Sequence, residues 1–153
     1  MRAVEVLIVD DDPSIRKVLP NLLSRSGYGV ADAESGDDAI GKLTTTAFDV
    51  VITDLVMPGS SGLDVLRYVR GRHPKTPVIM LTAEGSIRDC VAAMRAGAFN
   101  FLTKPFQAKD LEDVVRQAVI ARGGHAPARR RPRWATKANR RSRWWATRRR
   151  CRP

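Results

Sequence analysis

Residues 49–66 read DVVITDLVMPGSSGLDVL, and this stretch decides the fold. From Val50 to Thr53 the side chains are apolar or β-branched at odd and even positions alike, which indicates a strand covered on both faces. An acid, Asp54, comes next, and a Pro-Gly turn follows it shortly afterwards. Because a strand buried on both faces needs helices above and below it, this stretch predicts a parallel sheet between two helical layers.

The same strand pattern recurs along the chain. Four segments show it most clearly, and they are Val4–Val9, Phe48–Thr53, Pro77–Thr82 and Ala98–Leu102. A weaker example is Tyr28–Ala33, which we expect to lie nearer an edge of the sheet. Patterns with helical spacing separate these segments, so the chain is predicted to repeat a strand and a helix five times, with helices on both faces of a doubly wound α/β sheet.

Apolar residues at helical spacing predict which helix faces are buried. The stripes are Ile15, Val18, Leu19, Leu22 and Leu23 in the first helix, Ile87, Val91 and Met94 in the fourth, and Leu111, Val114, Val115, Ala118 and Val119 in the fifth. Asp12 is predicted to cap the first helix, and Pro20 to bend it. Gly27, Gly71 and Gly97 are predicted to end helices.

Charge divides the chain into two parts. Of its 153 residues, 27 are Lys or Arg and 16 are Asp or Glu, for a net charge of +11. Residues 1–122 hold 15 of the basic residues and all 16 acids, whereas residues 123–153 hold the other 12 basic residues and all three Trp. We therefore expect one domain over residues 1–122 and a disordered basic tail over residues 123–153.

Several protein classes are excluded by composition. The longest apolar runs have about four residues, too few to cross a membrane. The first 12 residues contain four acids, which argues against a signal peptide. Cys90 and Cys151 lie too far apart for a metal-ligand motif and do not form a disulfide framework. We expect a soluble, cytoplasmic protein.

Chemically active side chains follow the predicted strands, at the edge of the sheet where such folds place their sites. Asp10 and Asp11 follow the first strand, Asp54 the third, Thr82 ends the fourth, and Lys104 follows the fifth. Two carboxylates about 4 Å apart repel by on the order of 4 kcal/mol at an effective dielectric of 20, which a divalent cation such as Mg²⁺ would offset. A phosphate held there would be open to attack by the carboxylate of Asp54, with Lys104 and Thr82 available to its oxygens.

Four stretches in order, VLIVDDDPSIR, DVVITDLVMPGSSGLDVL, PVIMLTAEGS and AGAFNFLTKPF, resemble the receiver domain of two-component response regulators. The resemblance covers about residues 3–122. It implies a flavodoxin-like fold with a five-stranded sheet in the order 2-1-3-4-5. The segment from Thr82 to Phe106 is most similar to receivers of transcriptional activators that drive an ATPase module.

The resemblance also implies a role for each site residue. Asp54 would be the phospho-acceptor, and Thr82 and Lys104 would bind the phosphoryl group. Mg²⁺ or Mn²⁺ would be held by Asp54, by Asp11 directly, by Asp10 through water and by the backbone carbonyl of Val56. Further implied features are a cis peptide bond between Lys104 and Pro105 and an aromatic switch at Phe101, for which an ordinary core role is the open alternative.

The implied function is a phosphorylation-dependent switch rather than a turnover enzyme. A sensor histidine kinase would be the partner, with control of transcription as the output of the full-length regulator and homodimerisation through the face near strand 5 and its flanking helices. Two alternatives remain: a phosphatase working through an aspartyl phosphate, and a nucleic-acid binder working through the tail. The first usually needs an acid two residues after the nucleophile, where this chain has Val56.

Two positions depart from the family pattern. Ser61 precedes Gly62 where the family usually has Asp, which raises the question of how the loop after Asp54 is kept rigid. The Arg/Trp-rich tail stands where an effector domain is expected. It has the composition of a segment that binds single-stranded nucleic acid or the surface of a membrane, and also that of a truncated or frame-shifted reading frame, which is the reading we favour.

Overall fold

The computed structural model describes residues 4–83 and 87–123. Five strands alternate with five helices along this part of the chain. They are β1 (Glu5–Val9), α1 (Pro13–Arg25), β2 (Gly29–Ala33), α2 (Gly36–Thr45), β3 (Val50–Asp54), α3 (Gly62–Arg72), β4 (Val78–Thr82), α4 (Ile87–Arg95), β5 (Asn100–Thr103) and α5 (Ala108–Ala121).

All five strands are parallel and lie in the order β2-β1-β3-β4-β5. The predicted doubly wound sheet is therefore confirmed, including the place of β2 at an edge. The register sets Asp54, the last residue of β3, opposite Leu81 of β4. The ends of β1, β3 and β4 consequently meet at one edge of the sheet, which is where the predicted site residues lie.

The core has two layers, one on each face of the sheet. Leu7 and Val9 belong to a cluster with residues of α2, α3 and α4, whereas Val6 and Ile8 belong to a cluster with residues of α1 and α5. These four residues of β1 are fully buried because successive side chains of a strand point to opposite faces. The apolar residues at both parities thus predicted the two layers correctly.

Short polar side chains begin the helices that lead away from the site. The carboxylate of Asp12 accepts a 2.9 Å hydrogen bond from the Ser14 N–H and caps α1, as predicted. Ser61 caps α3 in a reciprocal capping box, in which it binds the N–H of Asp64 and its own N–H is bound by that residue's carboxylate. Ser61 thus supplies a defined start to α3 in place of the acid that the family pattern led us to expect.

Two sequence predictions about helices were wrong, and a third was wrong at one position. Gly71 does not end α3, which continues to Arg72. On α4, Val91 and Met94 are each 43% exposed and Ala93 is buried, so the helix packs through a small side chain that lets it approach the sheet. In α1, Val18 is exposed, and the buried positions are Leu19 and Leu23. A stripe of large apolar residues predicts too wide a buried face when the helix packs against the sheet on one side only, since residues at the margin of the stripe stay exposed.

The predicted tail lies outside the described residues, apart from Gly123, which follows α5. The division of the chain near residue 122 therefore stays a prediction. Within residues 4–83 and 87–123, no helix is long and apolar enough to cross a membrane.

Two glycines of α3 provide a matched test of the packing. A Cβ on Gly62 would lie 2.2 Å from the Asp54 carbonyl oxygen, whereas a Cβ on Gly71 would meet no atom of the described residues within 4 Å. We expect Gly62→Ala to lower the free energy of unfolding by about 1–3 kcal/mol through overpacking. Gly71→Ala should leave it unchanged or raise it by up to about 1 kcal/mol through helix propensity. Urea unfolding of both variants checks this, and equal effects of the two substitutions would contradict it.

Candidate active site

The side chain of Lys104 joins the two buried carboxylates of the site. Its Nζ lies 2.9 Å from Oδ2 of Asp10 and 3.2 Å from Oδ2 of Asp54. Asp10 follows β1 and is fully buried, and Asp54 is 9% exposed. The backbone N–H of Lys104 donates to the Thr82 carbonyl over 2.7 Å, which ties the segment after β5 to the end of β4. The ammonium group of Lys104 thus offsets much of the negative charge of two carboxylates that are buried away from water.

The remaining oxygens of these carboxylates are held by backbone groups. Oδ1 of Asp10 accepts from the N–H of Asp12 over 2.9 Å. Oδ1 of Asp54 accepts from the N–H of Val56 over 3.3 Å. The family resemblance implied that the backbone carbonyl of Val56 is a metal ligand. In the structure, the N–H of Val56 also helps to orient Asp54. No sequence pattern indicated this second contact, because it depends on how the loop after β3 turns.

Burial and the Lys104 charge act in opposite directions on Asp54. Burial raises the pKa of Asp54 above its ordinary value of 3.8, and the charge of Asp10 adds to this, while Lys104 offsets part of the increase. For Lys104, burial alone would lower the pKa, but its hydrogen bond to Asp10 and the charge of Asp54 outweigh burial and raise it. Lys104 is consequently held as a cation between the two acids.

Three carboxylates meet at this edge. Asp10, Asp11 and Asp54 can each offer one oxygen, and these oxygens lie within 4.8 Å of one another. Oxygen ligands of this kind suit a hard divalent cation such as Mg²⁺ or Mn²⁺. Asp11 is exposed and open to solvent, whereas Asp12 beside it is engaged in capping α1. The donor set therefore fits a divalent cation that carries both protein and water ligands.

Thr82 brings a buried hydroxyl to the same edge. The residue is 3% exposed, and its Oγ1 has no hydrogen-bond partner in the part of the chain that the structure describes. An unsatisfied buried hydroxyl costs about 1–3 kcal/mol, so such a group is expected to have a partner in some functional state. Thr82 is thus able to donate to a ligand that arrives at the end of β4.

Two further predicted features lie on β5 and just beyond it. Phe101 is partly buried and packs against the core layer of α2, α3 and α4. Its place suits an ordinary core residue, and its role as a switch stays a prediction. The Lys104–Pro105 peptide bond is cis.

A family model for the response regulator receiver domain matches residues 6–116, which is most of the chain. This chain belongs to the response regulator receiver domain family. Such domains are the signalling modules of two-component systems, in which histidine kinases partner the response regulators. The family resemblance drawn from the strand-end motifs is thereby confirmed.

Full-length regulators are among the similar curated proteins. The chain is 40% identical over 126 residues to the response regulator protein PilR of Pseudomonas aeruginosa, covering 82% of this chain and 28% of that protein. It is 41% identical over 112 residues to the DNA-binding transcriptional regulator NtrC of Klebsiella pneumoniae, covering 73% of this chain and 24% of NtrC. The chain thus spans about a quarter of the length of these relatives.

Solved structures match over the same region. A response regulator receiver domain protein of Clostridium thermocellum matches with a TM-score of 0.75 at 34% identity, covering 78% of this chain and 97% of that one. NtrX of Brucella abortus matches with a TM-score of 0.76 at 32% identity, covering 80% of this chain and 28% of NtrX. Receiver domains therefore share this fold both as separate chains and within larger regulators.

Asp54→Asn is expected to stabilise the metal-free protein at neutral pH. Because burial raises the pKa of Asp54, the folded chain binds its proton more tightly than the unfolded chain does, and the ionised carboxylate costs stability. That cost is present above the folded-state pKa and disappears as the pH falls toward 3.8. Thermal unfolding in a chelator over a pH series should show the stability gap closing on acidification. A gap that is constant with pH, or one matched by the exposed control Asp110→Asn, would contradict the prediction.

Thr82→Val is expected to raise the free energy of unfolding of the unphosphorylated protein by about 1 kcal/mol, since it removes a buried hydroxyl that has no hydrogen-bond partner within residues 4–83 and 87–123. Thr76→Val is the matched control. The Thr76 hydroxyl is also buried, but it donates to the Phe48 carbonyl over 3.0 Å, so its loss should cost about 1–3 kcal/mol. Chemical denaturation measures both, and destabilisation by Thr82→Val as large as that by Thr76→Val would show that its hydroxyl is already bonded.

Proposed function

We propose that this domain is switched by phosphorylation of Asp54, with a histidine kinase as the phosphodonor and Mg²⁺ or Mn²⁺ as the cofactor. The observation that carries the proposal is the placement of Lys104 Nζ between Asp10 and Asp54, beside a third carboxylate. A cation and a cluster of oxygen ligands at the end of a parallel sheet are what binding a phosphoryl group together with a divalent ion requires.

Asp54 is the acid best suited to act as the nucleophile. Asp10 is fully buried, and its hydrogen bonds to Lys104 and to the N–H of Asp12 are both 2.9 Å long. The corresponding contacts of Asp54 are longer, at 3.2 and 3.3 Å. Asp11 is exposed and follows the strand by two residues. Asp54 ends β3, retains some exposure and is oriented through the N–H of Val56. Of the three acids, it alone combines support by the strand with access to an incoming phosphoryl group.

The transfer would proceed by direct displacement at phosphorus. An oxygen of Asp54 forms a bond to the phosphorus of the kinase phosphohistidine, and the P–N bond breaks with its electron pair passing to the imidazole nitrogen. Lys104 then neutralises phosphoryl charge, and the hydroxyl of Thr82 donates to a phosphoryl oxygen. A bound cation would neutralise further charge, with Asp10, Asp11, Asp54 and the Val56 carbonyl as the groups that hold it.

The site favours a switch over a turnover phosphatase. An enzyme working through an aspartyl phosphate needs an acid or base to help the leaving group and then the attacking water. The residue two positions after Asp54 is Val56, whose side chain is 72% exposed and has no group that can transfer a proton. The residue at this position therefore argues against turnover of foreign substrates.

The output would be control of transcription by a longer regulator. The relatives include a protein named as a DNA-binding transcriptional regulator, and this chain spans about a quarter of it. The elements that flank β5 leave Val91, Met94 and Ile120 exposed, on α4 and α5. Exposed apolar side chains on both helices support the prediction that the phosphorylated domain pairs or signals through this face.

Incubation of the 153-residue chain with acetyl phosphate and Mg²⁺ tests the proposal. We expect intact-mass measurement to show the addition of one phosphoryl group, which should be absent after Asp54→Ala and in the presence of a chelator. Asp110→Ala, at an exposed acid in the first turn of α5, should accept phosphate as the unaltered chain does. A mass gain that survives Asp54→Ala, or no gain at all, would rule the proposal out.

A further inference from the structure

We propose that Asp37 and Ser60 form a positioning pair, which holds the loop after Asp54 in the conformation that binds the divalent cation and accepts phosphate. The inference rests on the proposed function of Asp54. Asp37 lies in the first turn of α2, and Ser60 lies 23 positions later in the loop of residues 55–61 that joins β3 to α3. Neither residue takes part in the transfer itself.

The contact between the two residues is short and direct. The Ser60 hydroxyl donates to Oδ1 of Asp37 over 2.5 Å. This is the length of a charge-assisted hydrogen bond from a hydroxyl to a carboxylate. A carboxylate in the first turn of a helix is also favoured by the helix dipole. The start of α2 therefore offers the loop a stable acceptor.

The backbones approach closely at the same place. A Cβ on Gly36 would lie 2.4 Å from the carbonyl oxygen of Ser60, so only glycine allows the loop to rest on α2. Gly36 is buried by this contact, although it lies at the start of a helix. The loop therefore contacts the start of α2 in two ways, through the hydrogen bond between Asp37 and Ser60 and through the close backbone packing at Gly36.

The other end of the loop is already fixed. The N–H of Gly62 donates to the Leu55 carbonyl over 3.1 Å, and the side chains of Leu55 and Met57 are buried. Between these anchors and Ser60 lies Val56, which has an exposed side chain and an N–H that contacts Asp54. Release of Ser60 would leave the outer half of the loop without this side-chain contact, and the backbone of Val56 would lose part of its positioning.

This pair answers the question raised by the departure from the family pattern at Ser61. Ser61 turns its own side chain to the capping box of α3 and does not brace the loop against α2. Ser60 does so through Asp37, which no local pattern indicates, because the two residues are distant in sequence. The outer half of the loop is therefore held by a contact between the first turn of α2 and the residue that precedes the N-cap of α3.

The test measures Mg²⁺ affinity by titration calorimetry on the 153-residue chain, together with the rate of phosphorylation by acetyl phosphate. We expect Ser60→Ala and Asp37→Ala each to weaken Mg²⁺ binding by about 2- to 10-fold, the equivalent of one hydrogen bond, and to slow phosphorylation most at low Mg²⁺. The double variant should be no worse than either single one, because both remove the same contact.

Conservative variants distinguish the effect of the hydrogen bond between Ser60 and Asp37 on Mg²⁺ affinity from the effect of the Asp37 charge. Ser60→Thr keeps the hydroxyl and Asp37→Asn keeps an acceptor without the charge, so both should restore most of the affinity. Asp110→Ala removes an acid from the first turn of another helix and should have no effect. Gly36→Ala removes no charge, yet it should also weaken Mg²⁺ binding, because the added Cβ would displace the backbone of Ser60 from the start of α2. Faster hydrogen exchange at the Val56 amide in Ser60→Ala would report the loosened loop without any ion.

Two results would overturn the inference. One is Mg²⁺ affinity unchanged by Ser60→Ala and Asp37→Ala in a chain that is phosphorylated on Asp54. The other is additive losses in the double variant, which would mean that the residues act separately. If the unaltered chain accepts no phosphate, the proposed function fails, and Mg²⁺ affinity and hydrogen exchange still decide whether the pair holds the loop.

Discussion

The repulsion between Asp10 and Asp54 is the constraint on which the rest of this domain depends. Both carboxylates are buried at the end of the sheet, where the low dielectric strengthens the interaction of like charges. Lys104 lies within hydrogen-bond distance of both and relieves the repulsion in the resting protein. Within the part of the chain that the structure describes, Lys104 is the cation that balances these two acids, so a metal ion or a phosphoryl group that binds there would compete for the same oxygens.

Such a balance is possible only on a rigid support. The parallel sheet supplies it, because the register of β1, β3 and β4 carries the chain ends to one edge and the two apolar layers hold the strands in place. Close contact extends beyond the strands, since Gly62 lies so near the Asp54 carbonyl that no larger side chain fits. The strands that carry the carboxylates are consequently held in place by residues that have no charge.

The strands and the site could be predicted from sequence for the same reason. Buried parallel strands are mostly apolar on both faces, and the acid that ends or follows such a strand marks the edge of the sheet, as at Asp10 and Asp54. Helix ends and faces were less predictable. Gly71 is tolerated within α3, and α4 packs through Ala93 and leaves Met94 exposed, because packing geometry overrides local preference there. Nothing local joins positions 37 and 60, so their contact was visible only in three dimensions.

The placement of that contact suggests how the domain combines a rigid site with a responsive surface. Buried groups, such as Asp10 and the Gly62 backbone, define where the phosphoryl group would sit, and a larger side chain at Gly62 would disturb the packing there. The bond between Asp37 and Ser60 lies at the surface, where a substitution alters the loop with little effect on the core. Tuning of the reaction is therefore easiest at this outer contact, because there the geometry of Val56 can change while the carboxylates and Lys104 stay in place.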